Sequence, residues 1–396
     1  MHRKLTRTFA RGGDDWEVPL WNPYPQVTVS DGLAFSRGQC AFDKAGDVVA
    51  TGDLAEQVRL ALQFGMRSFS ELGMTTGNLT RSVLYYDAKL GFPEKAIEDM
   101  FFRCLGAELH PSLILVPLPG FSHPGMVQEI DLYGSTNVIS RQKTASGNVV
   151  QAGGTIYLSG ISASRTQGSE RRRLDAAMKS LHFQIKAALA TVNAEVDDIV
   201  KITTYAVPEL LDSAESWKAL VEARAAWFKA RYPVITDIPL RGLDNSDSDI
   251  RIDVVARAGA RQDHGVRPVD LDDIGTLPFA SPHPAGLLVG RHFYVGGRMG
   301  LTPEGEVLEP EVPEYQTRIL MNDLGKLLAA VDMDYDHVIK KTTYFRGQRG
   351  VNYIRRNFSI RTSYYRQPGP GSTGVVIDAL PLKGAMLVSE ATAIRD

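Results

Sequence analysis

Asp336-His-Val-Ile-Lys-Lys-Thr-Thr-Tyr-Phe345 decides the fold. Its apolar pair Val338-Ile339 precedes β-branched and aromatic residues, which suit a pleated, half-buried surface, so the stretch reads as a loop running straight into a buried strand. The stretch recurs. Asp197-Asp-Ile-Val-Lys-Ile-Thr-Thr-Tyr205 is a near copy, and Gly77-Asn-Leu-Thr-Arg-Ser-Val-Leu-Tyr85 is a fainter one. The copies lie roughly 120 to 140 residues apart, about one small domain, which points to three whole domains and not to a solenoid.

Working outward, each copy sits in the same sequence of elements. In the first unit Gln26–Val29, the turn Ser30-Asp-Gly32 and Leu33–Phe35 read as a hairpin. Apolar residues at Leu54, Val58, Leu62, Met66, Phe69 and Leu72 then step by three and four, the stripe of an amphipathic helix lying on a sheet. After the copy come a helix over about 93–106 and strands over Leu113–Leu118 and Met126–Tyr133. The second unit repeats the hairpin at Asn148–Leu158 and the striped helix at Leu174–Val192; the third repeats them at Gly286–Val295 and Tyr315–Val331. Gly38, Gly160 and Gly297 stand at matching distances before the repeat tyrosine, and Pro111, Pro233 and Pro370 at matching distances after it.

The expected fold class is therefore α+β: an antiparallel or mixed sheet with two helices on one face, three times over. The expected layout is a flexible arm over 1–15 and domains over 16–135, 136–262 and 263–396, with polar linkers near 135–147 and 260–277. Each such domain leaves its other sheet face bare, and three in one chain can bury those faces around a pseudo-threefold axis.

Composition narrows the function. A formal net charge of −2 gives no electrostatic case for nucleic acid as a required partner. No apolar run approaches the roughly 18 residues that span a bilayer, and the first ten residues lack the apolar core of a signal peptide. With two cysteines, Cys40 and Cys104, no disulfide framework is expected, and the default compartment is the cytoplasm. The histidines and cysteines show no ligand spacing, so a metal site is not expected.

Ile156-Tyr-Leu-Ser-Gly160, Asp198–Tyr205, and Leu380-Pro-Leu-Lys-Gly384 with Ser389-Glu-Ala-Thr-Ala393 resemble the Rid (YjgF-type) family. The resemblance covers nearly all of 20–396. It implies single-domain relatives that trimerise and hydrolyse reactive enamines and imines in inter-subunit clefts without metal or cofactor. It also implies four site positions: a tyrosine before the first strand, a Ser-Gly at the end of the hairpin, an arginine for the substrate carboxylate, and a last-strand glutamate that handles the attacking water. Carried over, these fall on Tyr24, Arg37, Leu113 and Glu129 in the first unit, and on Ser146, Ser159, Ile235 and Arg251 in the second. In the third they fall on His283, Gly296, Ser372 and Val388. No unit holds the full set, and the loss of the arginine three times argues against the family's usual carboxylate-held imines.

The candidate catalytic residues are accordingly Glu129, Tyr24 and His283. Glu129 shares a strand face with Asp131, and two carboxylates on one buried face push one pKa up. His283 is fixed between Pro282 and Pro284. The candidate substrate-binding residues are Arg37 and Gln39, Arg298, Ser159, Arg251, and Ser372 with Thr373 in the Gly/Pro-rich run 368–374, set against the bland readings of strand-end pairs and a plain turn. The expected function is a metal-independent hydrolase or deaminase-like enzyme for a small imine, enamine, C–N or enol-ether substrate in an inter-domain cleft. The alternatives are a non-catalytic Rid-like module that binds a metabolite or protein, and chorismatase-like chemistry on the same fold. The chain is expected to act as a monomer or dimer.

Overall fold

The computed structural model describes residues 7–10, 24–106, 108, 110–245, 247–263, 265–347 and 351–395. Three six-stranded sheets follow one another along the chain. The first holds β1 (Thr8–Ala10), β2 (Val27–Ser30), β3 (Leu33–Ser36), β4 (Leu79–Asp87), β5 (Ser112–Leu118) and β6 (Gln128–Ser135), in the order β1-β2-β3-β6-β4-β5. The second repeats that order with β7 (Ile139–Thr144), β8 (Gly147–Ala152), β9 (Thr155–Ser164), β10 (Ile199–Ala206), β11 (Val234–Pro239) and β12 (Ser248–Arg257). The third does so with β13 (Arg267–Val269), β14 (Gly286–Val289), β15 (His292–Arg298), β16 (Val338–Arg346), β17 (Gly371–Ile377) and β18 (Leu387–Ile394). Two helices accompany each sheet: α1 (Leu54–Glu71) and α2 (Glu94–Leu105), α3 (Glu170–Ala190) and α4 (Ala214–Ala225), α5 (Pro313–Ala329) and α6 (Val351–Thr362).

The three copies of the opening stretch are the strands β4, β10 and β16, each next to the edge strand of its sheet and flanked on both sides. Each sheet is mixed: the helix after the repeat strand returns the chain so that β5, β11 and β17 run parallel to it. The first strand of each sheet departs from the sequence expectation. Thr8–Ala10 pairs with β2 inside the segment read as a flexible arm, whose remaining residues lie mostly outside those described. Ile139–Thr144 and Arg267–Val269, read as linkers, are edge strands on β8 and β14. Ile139-Ser-Arg-Gln-Lys-Thr144 has one apolar residue and mostly open side chains, so no alternation announces it; polar edges are how sheets avoid pairing with other chains.

The helices form where the stripe predicts. In α1, Asp53 caps the first turn by accepting from the Glu56 N–H, and Val58, Leu62 and Phe69 are buried against the sheet. A buried glutamine then ties helix to loop. Gln57 donates to the Ala50 and Gly125 carbonyls and accepts from the Val127 N–H. Gln316 of α5 does the same with Glu309, Gly384 and Met386.

The inner sheet faces meet on an axis. The repeat tyrosines Tyr85, Tyr205 and Tyr344 converge there, all buried; Tyr344 Oη lies 2.8 Å from Tyr205 Oη and also hydrogen-bonds Tyr85. One turn of the pleat away is a closed ring of ion pairs. Four residues before each tyrosine stands a cation, and each reaches the last-strand carboxylate of the next sheet. Arg81 pairs with Asp253, Lys201 with Glu390 at 2.6 Å, and Lys340 with Asp131 at 2.9 Å. First sheet to second, second to third, third to first: the ring is closed by one chain. Buried pairs of this kind fix register more than they add stability.

The sheets also touch edge to hairpin in the same cyclic sense, β5 against β9, β11 against β15 and β17 against β3. Glycine permits the approach. A Cβ on Gly160 would fall 2.9 Å from the Leu113 carbonyl oxygen, and one on Gly296 2.8 Å from that of Ile235. Among the described residues no helix is long and apolar enough to cross a membrane.

Candidate functional site

The cyclic contacts create three clefts, and their side chains have had three different fates. The cleft between β17 of the third sheet and β3 of the first is open. It is lined by Tyr24, Gln26, Arg37, Gln39, Cys40, Phe42, His123, Glu129, Phe358, Arg361 and Ser372, with a volume of about 830 Å³ counted out to its solvent-filled mouth. Tyr24 and Glu129, which come from one unit, therefore face one cavity, together with Arg37, Gln39 and Ser372.

Glu129 is 8% exposed, and its carboxyl lies flat on the backbone opposite: a Cβ on Gly38 would fall 1.7 Å from its Oε1. Burial, then the neighbouring Asp131 carboxylate, push its pKa up to about 8; Lys340, Arg37 and the Gly374 N–H oppose that rise. Asp131, fully buried, is held by Lys340 and by the Thr373 hydroxyl. Arg37 is half-buried, and burial brings it down to about 10 against the pull of Cys40 and Glu129. Burial raises Tyr24, opposed by the charge of Arg361 and a hydrogen bond with Ser372. Cys40 is raised by burial and by Glu129, so it stands as a neutral thiol.

Sequence reasoning missed Arg361. It comes from α6, is 3% exposed and reaches the cavity over the Phe345 ring, 5.2 Å from the ring centroid. A signal for it existed: Arg361 stands nine residues before Pro370, as Arg224 of α4 stands nine before Pro233.

The second cleft, between β5 and β9, is filled by protein. Arg251, read as a substrate ligand, is locked in a two-pronged pair with Glu94 at 2.9 and 2.6 Å and also donates to the Leu115 carbonyl. With Nε also donating to Ser162 Oγ, four of its five N–H donors are taken by protein groups and its charge is balanced by Glu94. Ser159 is buried there, its N–H donating to Ser112 Oγ at 2.9 Å, and does not line the open cavity. Thr373 likewise faces the axis and not the cavity, accepting from Lys340 at 2.7 Å and donating to Asp131.

The third cleft, between β11 and β15, holds His283 and Arg298 in a surface cavity of about 1180 Å³ with Asp270 and Glu304. His283 Nδ1 lies 2.9 Å from the Pro233 carbonyl oxygen. Burial and the nearby Arg224 charge bring its pKa down to about 3, so it is neutral at working pH and does not deliver protons there. Arg224 itself is fully buried and neutralised by Asp237 through bonds of 2.6 and 3.0 Å, with Trp217 Nε1 on the same carboxylate. The structure thus separates the expected site residues into one gathered set and several that serve packing or lie elsewhere. Among the described residues no cluster of metal-binding side chains occurs.

Comparison with known proteins places these features. A family model described as Endoribonuclease L-PSP matches residues 142–258. Over 115 residues the chain is 29% identical to a human 2-iminobutanoate/2-iminopropanoate deaminase, covering 29% of this chain and 80% of that protein. A RutC family protein of Pyrococcus abyssi is 23% identical over 116 residues, covering 29% of this chain and 87% of its own. Among solved structures, a chorismatase aligns over 91% of this chain and 99% of its own, with a TM-score of 0.55 and 10% identity, a likeness of fold.

Proposed function

We propose, from the match of its middle domain to the Rid (YjgF-type) family, that this chain is a hydrolytic, deaminase-like enzyme for a small imine or enamine, working in the cleft between the first and third sheets. One observation carries the reading: Glu129 is a carboxyl kept largely protonated at neutral pH, buried in an open cavity beside Tyr24 and two guanidiniums. Relatives named as deaminases of 2-iminobutanoate and 2-iminopropanoate support the reaction class.

The chemistry asks one residue to carry a proton both ways. Water adds across the C=N bond: its oxygen bonds to the carbon, and one of its protons goes to the nitrogen through the Glu129 carboxyl. The resulting carbinolamine then receives the Glu129 proton on its amino group. The C–N bond breaks with its electron pair on nitrogen, and ammonia leaves. The hydroxyl proton returns to the Glu129 carboxylate as the carbonyl forms, so the carboxyl ends as it began. A general acid with a pKa near the working pH suits this exchange. Asp131 acts through Glu129 by raising its pKa and is a positioning residue, in turn held by Lys340.

The test is release of ammonia and a 2-oxo acid from imines generated in situ by an amino-acid oxidase. The purified chain should accelerate release, and Glu129→Gln should abolish the acceleration. A chain that binds 2-oxo acids in this cleft but accelerates no imine would instead be a binding module.

A further inference from the structure

Among the described residues, the cleft that holds Glu129 carries more positive charge than its carboxylates balance. Register defines the comparison. In the second sheet Thr204 lies opposite Asp237, and Arg224 of α4 bonds both, at 2.7 Å to the threonine hydroxyl and in a two-pronged pair to the carboxylate. In the third sheet Thr343 lies opposite Gly374. The arginine is kept as Arg361 and the threonine as Thr343, but the carboxylate is gone. Among the described residues Arg361 retains one hydrogen bond, to Thr343 Oγ1 at 3.3 Å; its buried Nε, like that of Arg224, has no partner, and unlike Arg224 it has no carboxylate. The place where the aspartate would begin is open to it: a Cβ on Gly374 would stand 3.7 Å from Arg361 Nη2.

Arg37 is the second uncompensated charge. Among the described residues no carboxylate comes within ion-pair distance of it, and no side-chain acceptor bonds it. Its equivalents are Ser159 and Gly296, so this cation too is particular to the open cleft. The nearest acid, Glu129, is held toward its neutral form and cancels neither charge. An unpaired guanidinium shielded from water is costly, and the cost is offset when an anion arrives with matching geometry.

We infer that the substrate of this cleft carries two anionic groups, of carboxylate class, one bound by Arg361 in the place that Asp237 fills in the second domain and the other by Arg37. This rests on the hydrolase reading above and sharpens it: the relatives are named for imino acids with one carboxylate, whereas two guanidiniums that no carboxylate of the described residues pairs call for a dicarboxylic imine, or its 2-oxo dicarboxylic product.

Titration calorimetry on the full chain at pH 7 tests this with two unreactive product mimics, 2-oxoglutarate and 2-oxobutanoate. The dicarboxylate should bind at least about tenfold tighter, and Arg37→Met and Arg361→Met should each weaken it by roughly 10- to 150-fold, the worth of one charged hydrogen-bonding partner. Arg361→Lys, which keeps the charge, should recover part of the loss. Gly374→Asp should weaken dicarboxylate binding as strongly as Arg361→Met, because it rebuilds the internal pair of the second domain; the Phe345 ring, 3.1 Å from the new Cβ, must give by a few tenths of an ångström. Should Arg361→Met fail to fold, Arg37→Met and Gly374→Asp carry the test. Equal affinity for the two mimics, or dicarboxylate binding untouched by Arg37→Met and Gly374→Asp, overturns the inference. Its failure is distinguishable from failure of the hydrolase reading. Equal affinities with Glu129-dependent hydrolysis of monocarboxylic imines refute only the second anion. Tight, arginine-dependent 2-oxoglutarate binding with no acceleration of either imine class refutes only the chemistry.

Discussion

Replacing Glu129 by glutamine removes a titrating group while keeping its shape, and the consequence depends on pH in a way the structure specifies. At low pH the carboxyl is protonated in both the folded and the unfolded chain. As pH rises, the unfolded chain ionises near the ordinary value of 4.5, whereas the native protein keeps its proton until about 8. Between those values the native state binds more protons than the unfolded state, so stability falls as pH rises, by up to about 1.4 kcal/mol for each pH unit. Across the window the loss amounts to roughly 3–5 kcal/mol by the same arithmetic. Glutamine has nothing to lose, so Glu129→Gln should gain on the wild type steadily from pH 5 to pH 8. Activity should move the other way, falling by roughly 10²- to 10⁴-fold, the usual worth of a positioned proton carrier. The wild-type rate should itself decline above about pH 8 as the acid form is lost. Urea unfolding of both proteins at pH 5, 6.5 and 8, beside an imine-hydrolysis pH series, measures all of this. Parallel stability curves would mean that Glu129 titrates like a surface carboxylate, and full activity in the variant would remove it from the chemistry.

Other outcomes concern the other two clefts. Asp237→Ala leaves Arg224 fully buried without its carboxylate and should cost about 3–5 kcal/mol in urea unfolding, with little change in affinity for a ligand of the open cleft. Arg251→Ala should lower the melting temperature by breaking the pair with Glu94, yet leave kcat/KM of the folded enzyme within a few-fold of wild type; a dead enzyme would return that cleft to the reaction. The His283 ring should show no protonation by NMR between pH 5 and 8. Because its folded pKa lies below its unfolded one, the stability it contributes is present above about pH 6.5 and is lost as pH falls toward 3.

The fold was legible because it is written three times. The repeat strands and the striped helices recur in register, and a buried strand flanked by a striped helix imposes the same period-two and period-3.6 patterns wherever it occurs. The edge strands were not legible, since Ile139–Thr144 is mostly polar and Arg267–Val269 is only three residues long with a proline at its centre, and neither shows an alternating pattern. The candidate site was half legible. Tyr24, Arg37 and Glu129 stand at positions the family resemblance marks, and Glu129 beside Asp131 on one face is a consequence of strand periodicity alone. Arg361 was hidden because it reaches the cavity from a helix, while the resemblance directed attention to a strand position now occupied by Ser372. Arg251 misled for the opposite reason: a charged residue in a site position looks functional until its partner Glu94, far away in sequence, is seen. The family match falls on the middle domain, which borders the β5–β9 and β11–β15 clefts, while the cavity that holds Glu129 lies between the other two domains. Sequence likeness and the gathered candidate residues thus fall on different parts of one chain.

The central claim is that one cleft of three, closed by Ser372 on one side and Glu129 on the other, receives the substrate. A crystal structure of Glu129→Gln grown with 2-oxoglutarate tests it most directly. The account predicts one ligand per chain, with carboxylates on Arg361 and Arg37 and its carbonyl carbon beside residue 129. Ligand density at Arg298 and His283, or at three equivalent sites, would contradict it.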